Sequence, residues 1–205
     1  MPMWTAAFRT RSRFKMRIIA GKYKGRKIAF PDHIRPTQDK VRQAIFDTLG
    51  QDFKGASVLD LFAGSGALGI EALSRGAGRV VFVDIERKCN FLIKSNLDGL
   101  GLSRGPGCEI ENYRQDAFKA VAIAAKRKRR FDIIFADPPY HKSLAKKLLK
   151  TPSLSDILSP HGFFVVEHAR TDVLDFEPQV GAFELYKQAD YGKIRVSFFR
   201  SKKSV

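Results

Sequence analysis

A strand, a glycine turn and a helix start follow one another without a gap at residues 58–69, Val58-Leu59-Asp60-Leu61-Phe62-Ala63-Gly64-Ser65-Gly66-Ala67-Leu68-Gly69. Gly64, Gly66 and Gly69 fit the pattern G-x-G-x-x-G, and Asp84 lies 20 residues beyond Gly64. An acid at that distance ends a second strand, where it can bind ribose hydroxyls. Few folds accommodate this order. It requires a βαβ unit in a parallel sheet, with a nucleoside site at the carboxyl edge of its strands.

The residues that follow keep to the same plan. Apolar, β-branched runs at Ser57–Phe62, Arg79–Asp84, Glu109–Tyr113, Phe131–Ala136 and Gly162–Glu167 predict five parallel strands. Helical patterns at Gly66–Ser74, Glu86–Leu97, Ala117–Lys126 and Leu144–Leu149 supply the crossovers. The segments FELYKQ and IRVSFFR, with Asp190-Tyr191-Gly192 between them, predict a closing hairpin that adds an antiparallel strand at one side.

Two ligand classes suit the glycine turn. A dinucleotide would rest its pyrophosphate on the helix N-terminus. S-adenosylmethionine has no phosphate and carries an ammonium, which calls for a carboxylate just before the turn. Asp60 stands there, so S-adenosylmethionine is the better match. Asp116, after the third strand, is placed to accept from an adenine amine, with Phe118 available to pack on the ring.

The fourth strand ends as Ile133-Ile134-Phe135-Ala136-Asp137-Pro138-Pro139-Tyr140. The two prolines fix their own φ angles and restrict the residues before them, so the turn is stiff. It can hold the Asp137 carboxylate, the Pro138 carbonyl and the Tyr140 ring in fixed relation. Two acceptors and a flat surface suit a planar amine. In a doubly wound sheet the first and fourth strands flank the switch point, so Asp60–Gly66 and Asp137–Tyr140 should face one crevice.

Charge points to the partner. The chain of 205 residues carries +16 at neutral pH, and residues 1–54 hold thirteen Lys or Arg against four Asp, a net +9. That region should meet phosphate. Residues 1–15 are read as a disordered leader ahead of a natural start at Met16. Arg17 to Phe30 predicts a hairpin about Gly21 and Gly25 that carries Lys22, Lys24, Arg26 and Lys27, with Tyr23 among the cations. Arg35-Pro36-Thr37 leads into a helix with Val41, Ala44, Ile45, Thr48 and Leu49 on one face, and Lys40, Arg42 and Gln43 on a basic one. The two cysteines and four histidines show no metal-ligand spacing, and no apolar run approaches the about 18 residues of a membrane span. We expect no metal, no membrane and a monomer in the cytoplasm.

The order MRIIAGKYKGRKI, RPTQDKVRQAIFDTLG, VLDLFAGSGALGIEALSRGA and DIIFADPPY resembles the bacterial 16S ribosomal RNA guanine-2-amino methyltransferase family, methyltransferase D of the small subunit, over about Met16 to Arg200. The resemblance implies a class I, Rossmann-like α/β methyltransferase with a seven-stranded sheet over 55–205 and a basic RNA-binding extension over 16–54. It implies S-adenosylmethionine as donor and guanine 966 of 16S ribosomal RNA as acceptor, in an assembled or partly assembled small subunit. Expected cofactor contacts are Asp60, Phe62, Ala63, Gly64, Ser65, Gly66, Asp84, Ile85, Gln115, Asp116, Ala117 and Asp137. Asp137, Pro138, Pro139 and Tyr140 are the expected catalytic group. RNA contacts are expected at Lys22, Tyr23, Lys24, Arg26, Lys27, Arg35, Thr37 and Arg42. Asp-Pro-Pro-Tyr would orient an adenine amine in DNA or RNA equally well, and a non-catalytic assembly factor on this fold is a third reading.

Overall fold

The computed structural model describes residues 15–30, 39–102, 107–139, 143–172, 179–180 and 183–202. Tyr140, Arg35, Thr37 and residues 1–14 of the expected leader lie outside the described residues. A two-stranded antiparallel ribbon opens the chain, β1 (Lys15–Arg17) pairing with β2 (Lys27–Ala29). Helix α1 (Asp39–Leu49) follows, and Gly50 beyond it turns the chain out with a φ of 98°.

Then comes the alternation: β3 (Ser57–Leu61), α2 (Ala67–Ser74), β4 (Arg79–Asp84), α3 (Arg87–Leu100), β5 (Glu109–Arg114), α4 (Ala117–Lys126), β6 (Phe131–Ala136). Two short helices, α5 (Leu144–Leu149) and α6 (Pro152–Ile157), lead to β7 (Leu158–Ala169). The chain closes with β8 (Gln179–Val180), β9 (Phe183–Tyr191) and β10 (Ile194–Ser201). The strands form one sheet in the order β5-β4-β3-β6-β7-β10-β9-β8. The first five are parallel, and β10 runs antiparallel between β7 and β9. The sheet is therefore the expected seven strands plus the two residues of β8 at its edge.

Period-two alternation sends side chains to two cores. Val58, Val80, Phe82, Ile133 and Phe135 face α1, α2, α3 and the ribbon. Leu59, Leu61, Val81, Val83, Ile134 and Ala136 face α4, α5 and α6. Both faces of the central strands are buried, which is why they read as almost unbroken apolar runs. Met16, Ile18, Ile28 and Phe30 of the ribbon belong to the first core, so the basic extension shares packing with the sheet. Each such side chain contributes on the order of 1.5–3 kcal/mol by burial.

Two differences from expectation have local causes. Helix α6 has only six residues, and its start signal, Thr151 at the N-cap and Pro152 at the first helical position, is easily passed over beside α5. Strand β7 begins four residues before Gly162 because Leu158 pairs with Phe131. Gly162 then lies so close to β6 that a Cβ there would stand 2.9 Å from the Asp132 carbonyl oxygen. Among the described residues no helix is long and apolar enough to cross a membrane.

Candidate active site

Strand register assembles the site. Leu61 pairs with Val83 of β4 on one side and with Ala136 of β6 on the other. Next along the chain, Phe62 and Asp137 leave the sheet and Asp84 ends β4, still paired with Arg114 of β5, so the three stand side by side at its carboxyl edge. β5 ends there too, and the Gln115 amide donates to the Asp84 carbonyl at 3.0 Å. The structure thus brings Asp60, Asp84, Gln115, Asp116 and Asp137 to one edge at the switch point between β3 and β6.

The glycine turn reverses the chain in four residues. Phe62, Gly64 and Gly66 have φ of 56°, 54° and 77°, and a left-handed φ at a bulky residue such as Phe62 is a strained state that the surrounding structure must hold. The Ala63 amide donates to Val83 O at 3.1 Å and the Gly66 amide to Ala63 O at 2.7 Å. Gly69 has a different duty. A Cβ there would lie 2.3 Å from Phe82 Cε1, so its absence lets α2 sit directly on β4.

Three of these four acids, Asp60, Asp84 and Asp116, differ in their surroundings. Asp60 is 2% exposed, and its Oδ2 accepts from the Gly69 amide at 3.0 Å. Burial pushes its carboxyl up to about 8, against the pull of that hydrogen bond and with a further push from Asp84. Asp84 accepts from the Gly64 amide at 2.8 Å with one oxygen and from the Glu86 amide at 2.8 Å with the other. It therefore holds the glycine turn in place, a duty additional to the ribose contact expected of it. Burial is the main cause that raises its pKa too. Asp116 caps α4, its Oδ1 accepting from the Lys119 amide at 3.0 Å.

Among the remaining expected contacts, Ile85 stands 62% exposed beside Asp84, an apolar surface of the kind an adenine ring covers. Phe62, Gln115 and Phe118 are half-buried, while Ala63 and Ser65 are buried. Ala117, also among the expected contacts, is buried. Its methyl is packed in the second core, because the first turn of α4 faces the sheet, and only its backbone remains for a ligand. Asp137 is partly exposed, Pro138 buried and Pro139 exposed, so the acid stands at the mouth of the crevice on a turn anchored by its neighbour. Cys89 is buried, and its thiol is pushed up to about 12, chiefly by burial.

On the ribbon, Lys22, Lys24, Arg26 and Lys27 are exposed, and Tyr23 is half-buried with the Lys22 ammonium 5.5 Å from its ring. The placement of Arg42 on an exposed basic face is wrong. Arg42 is 1% exposed; its guanidinium donates to Arg17 O at 2.7 Å and to Asp39 Oδ1 at 2.9 Å, and contacts Met16 Sδ. One turn of helix places it beside Val41, Ile45 and Phe46, where its long stem packs and its head ties β1 to α1.

Several residues that position the ribbon carried no sequence signal. Glu71 accepts from the Ile19 and Ala20 amides at 2.8 and 2.9 Å, and forms a buried pair with Arg75 at 3.0 Å. The Ser74 hydroxyl accepts from the Tyr23 amide at 3.0 Å and donates to Ala20 O at 2.5 Å. Asn96 reaches both Ala29 and Ser65.

A family model described as conserved hypothetical protein 95 matches residues 16–200. The ribosomal RNA small subunit methyltransferase D of Buchnera aphidicola from Acyrthosiphon pisum is 35% identical over 162 residues, 78% of this chain and 81% of that protein. The chain belongs to the methyltransferase D family. Protein YlbH of Bacillus subtilis is 41% identical over 189 residues, 91% of this chain and 100% of that one. Among solved structures, the methyltransferase D family chain superposes on Escherichia coli yhhF with a TM-score of 0.77 at 28% identity, covering 93% of this chain and 100% of that one. The Thermus thermophilus 16S rRNA N2 G1207 methyltransferase, solved with AdoMet and guanosine, shares the fold at a TM-score of 0.67 and 23% identity over 93% of this chain and 50% of that one.

Proposed function

We propose that this protein transfers the methyl group of S-adenosylmethionine to the 2-amino group of guanine 966 in 16S ribosomal RNA. The observation that carries the reading is the β3–β6 register, in which Leu61 pairs with Ala136 and the glycine turn and Asp137-Pro138 leave the sheet together. Methyl donor and amine acceptor then meet across one crevice.

Each group has a role in this reading. Asp60 takes the cofactor ammonium, Asp84 the ribose, and Asp116 the adenine amine, with Ile85 against the ring. An exocyclic amine is a poor nucleophile because its lone pair is delocalised into the base. Asp137 and the Pro138 carbonyl accept its two hydrogens and turn the lone pair toward the sulfonium carbon. The nitrogen–methyl bond forms as the methyl–sulfur bond breaks, and the proton left on the amine passes to solvent. Positioning supplies most of the acceleration, and fixed acceptors stabilise the cation that develops. Tyr140 stacks the extruded base. The ribbon cations Lys22, Lys24, Arg26 and Lys27, with Tyr23, hold the RNA, assisted by Arg35 and Thr37.

The substrate is an assembled or partly assembled small subunit, and the enzyme works as a cytoplasmic monomer without a metal. Residues 16–54 act as the RNA-binding extension of a methyltransferase domain over 55–205. The name of a relative supports the ribosomal target: the Buchnera protein is called a ribosomal RNA small subunit methyltransferase. The test is tritiated methyl transfer to small subunits from cells lacking the activity, with large subunits and duplex DNA in parallel. Label in the small-subunit RNA is expected. Label in DNA, or in none of the three, refutes the reading.

A further inference from the structure

Asn96, on the inner face of α3, is 6% exposed and spends its whole amide on two distant segments. Its Oδ1 accepts from the Ala29 amide at 2.8 Å; its Nδ2 donates to Ala29 O at 2.8 Å and to Ser65 O at 3.0 Å. Ala29 ends β2, two residues from the exposed Lys27. Ser65 is the middle of the glycine turn, between Gly64 and Gly66. The pairing with both polar groups of Ala29 fixes which way the amide points. One planar group therefore joins the ribbon to the turn, and Ala29 cannot shift without moving the donor that holds Ser65.

The other straps differ. Glu71 and Ser74 fasten residues 19–23 to the second half of α2 without touching the turn, and Arg26 Nη2 donates to Gly99 O at 2.5 Å on the far end of α3. Among the described residues, Asn96 is the side chain whose hydrogen bonds reach from the ribbon to the glycine turn.

We propose that Asn96 is a positioning residue that couples RNA engagement at the ribbon to cofactor affinity at the glycine turn. This rests on the assignment of the ribbon to RNA and of the turn to the cofactor. Holding β2 in place fixes the Asn96 amide, which fixes Ser65 and with it the backbone that the cofactor approaches. RNA then tightens the cofactor, and by linkage the cofactor tightens RNA by the same factor. The reciprocity makes small-subunit binding and cofactor loading mutually reinforcing before any chemistry.

The experiment measures S-adenosylhomocysteine affinity by calorimetry, alone and with small subunits from cells lacking the activity, for the full chain and for Asn96→Ala and Ser74→Ala. Wild type should bind the cofactor product about fivefold or more tightly when the subunit is present. Asn96→Ala should bring that ratio to about one, whereas Ser74→Ala should weaken subunit binding and keep the ratio. A merely structural Asn96 would lower each affinity or the melting temperature and leave the ratio unchanged. Hydrogen exchange on the wild type gives a second reading that needs no variant: amides of residues 63–66 should slow when the subunit binds without cofactor. An unchanged ratio in Asn96→Ala, a wild-type ratio of one, or no slowing at 63–66 overturns the coupling while leaving the methyl-transfer assignment intact. If wild-type enzyme neither binds nor methylates the subunit, the functional assignment fails and the coupling with it.

Discussion

Asp60 sits in a place that suits a bound cation better than an empty site. Burial holds its carboxyl at about 8 in the folded chain, above the ordinary 3.8. Because the folded value is the higher, the stability linked to this group is fully present below 3.8 and is lost as pH rises through about 8. Without cofactor, wild type should therefore lose melting temperature relative to Asp60→Asn across that window, and the two should converge in acid. An ammonium placed against Asp60 favours the carboxylate, so cofactor binding near neutral pH should release about one proton. Calorimetry in buffers of different ionisation enthalpy measures this; Asp60→Asn should lose both the proton release and most of the affinity. At the acceptor side, Asp137→Ala should keep cofactor affinity within a few-fold and lose about 10²–10³ in turnover. Arg42 makes the contrast. Its removal leaves Arg17 O without a buried donor, so Arg42→Ala should cost roughly 2–3 kcal/mol in chemical denaturation, with the salt dependence of RNA binding unchanged.

At the scale of elements, α2 serves two neighbours at once. Its first turn closes on Asp60 through the Gly69 amide, and its second half holds the ribbon through Glu71 and, at its last residue, Ser74. Gly21 is where the ribbon meets it. Its φ is +77°, and a Cβ would fall 1.9 Å from the Ser74 carbonyl oxygen, so Gly21→Ala must lift the ribbon from α2. We expect at least a tenfold loss of RNA affinity, measured by filter binding, from a strain of order 1–3 kcal/mol. These contacts explain what could be read from sequence. β3, β4 and β6, buried on both faces, announce themselves as apolar runs, and the glycine turn as a spacing. The docking of the ribbon rests on Glu71, Ser74 and Asn96, whose partners on the ribbon lie more than 50 residues away in the chain and leave no periodic trace. Arg42 misled because Met16 and Arg17, which it meets, belong to another element. A cation on a helix looks like a solvent-facing residue until the helix is seen to press it against β1. Asp137-Pro138 was legible because its stiffness is local.

For the whole molecule, the separation of charge from chemistry is what the fold achieves. The sheet gathers Asp60, Asp84, Asp116 and Asp137 along its carboxyl edge, and the ribbon, sharing the first core, presents its exposed cations where it meets the C-terminal ends of α2 and α3. A net charge of +16 makes binding to a polyanion steeply dependent on salt. If about six phosphates are contacted, affinity for the small subunit should fall about 10³-fold or more between 50 and 200 mM salt. Asp137 and Pro138 would orient the amine of guanine or adenine alike, so the identity of the product decides the account. Nucleoside analysis by mass spectrometry of small-subunit RNA methylated by the purified enzyme is the direct measurement. The account predicts 2-methylguanosine as the new modified nucleoside; N6-methyladenosine in its place, or no new methylated nucleoside, would contradict it.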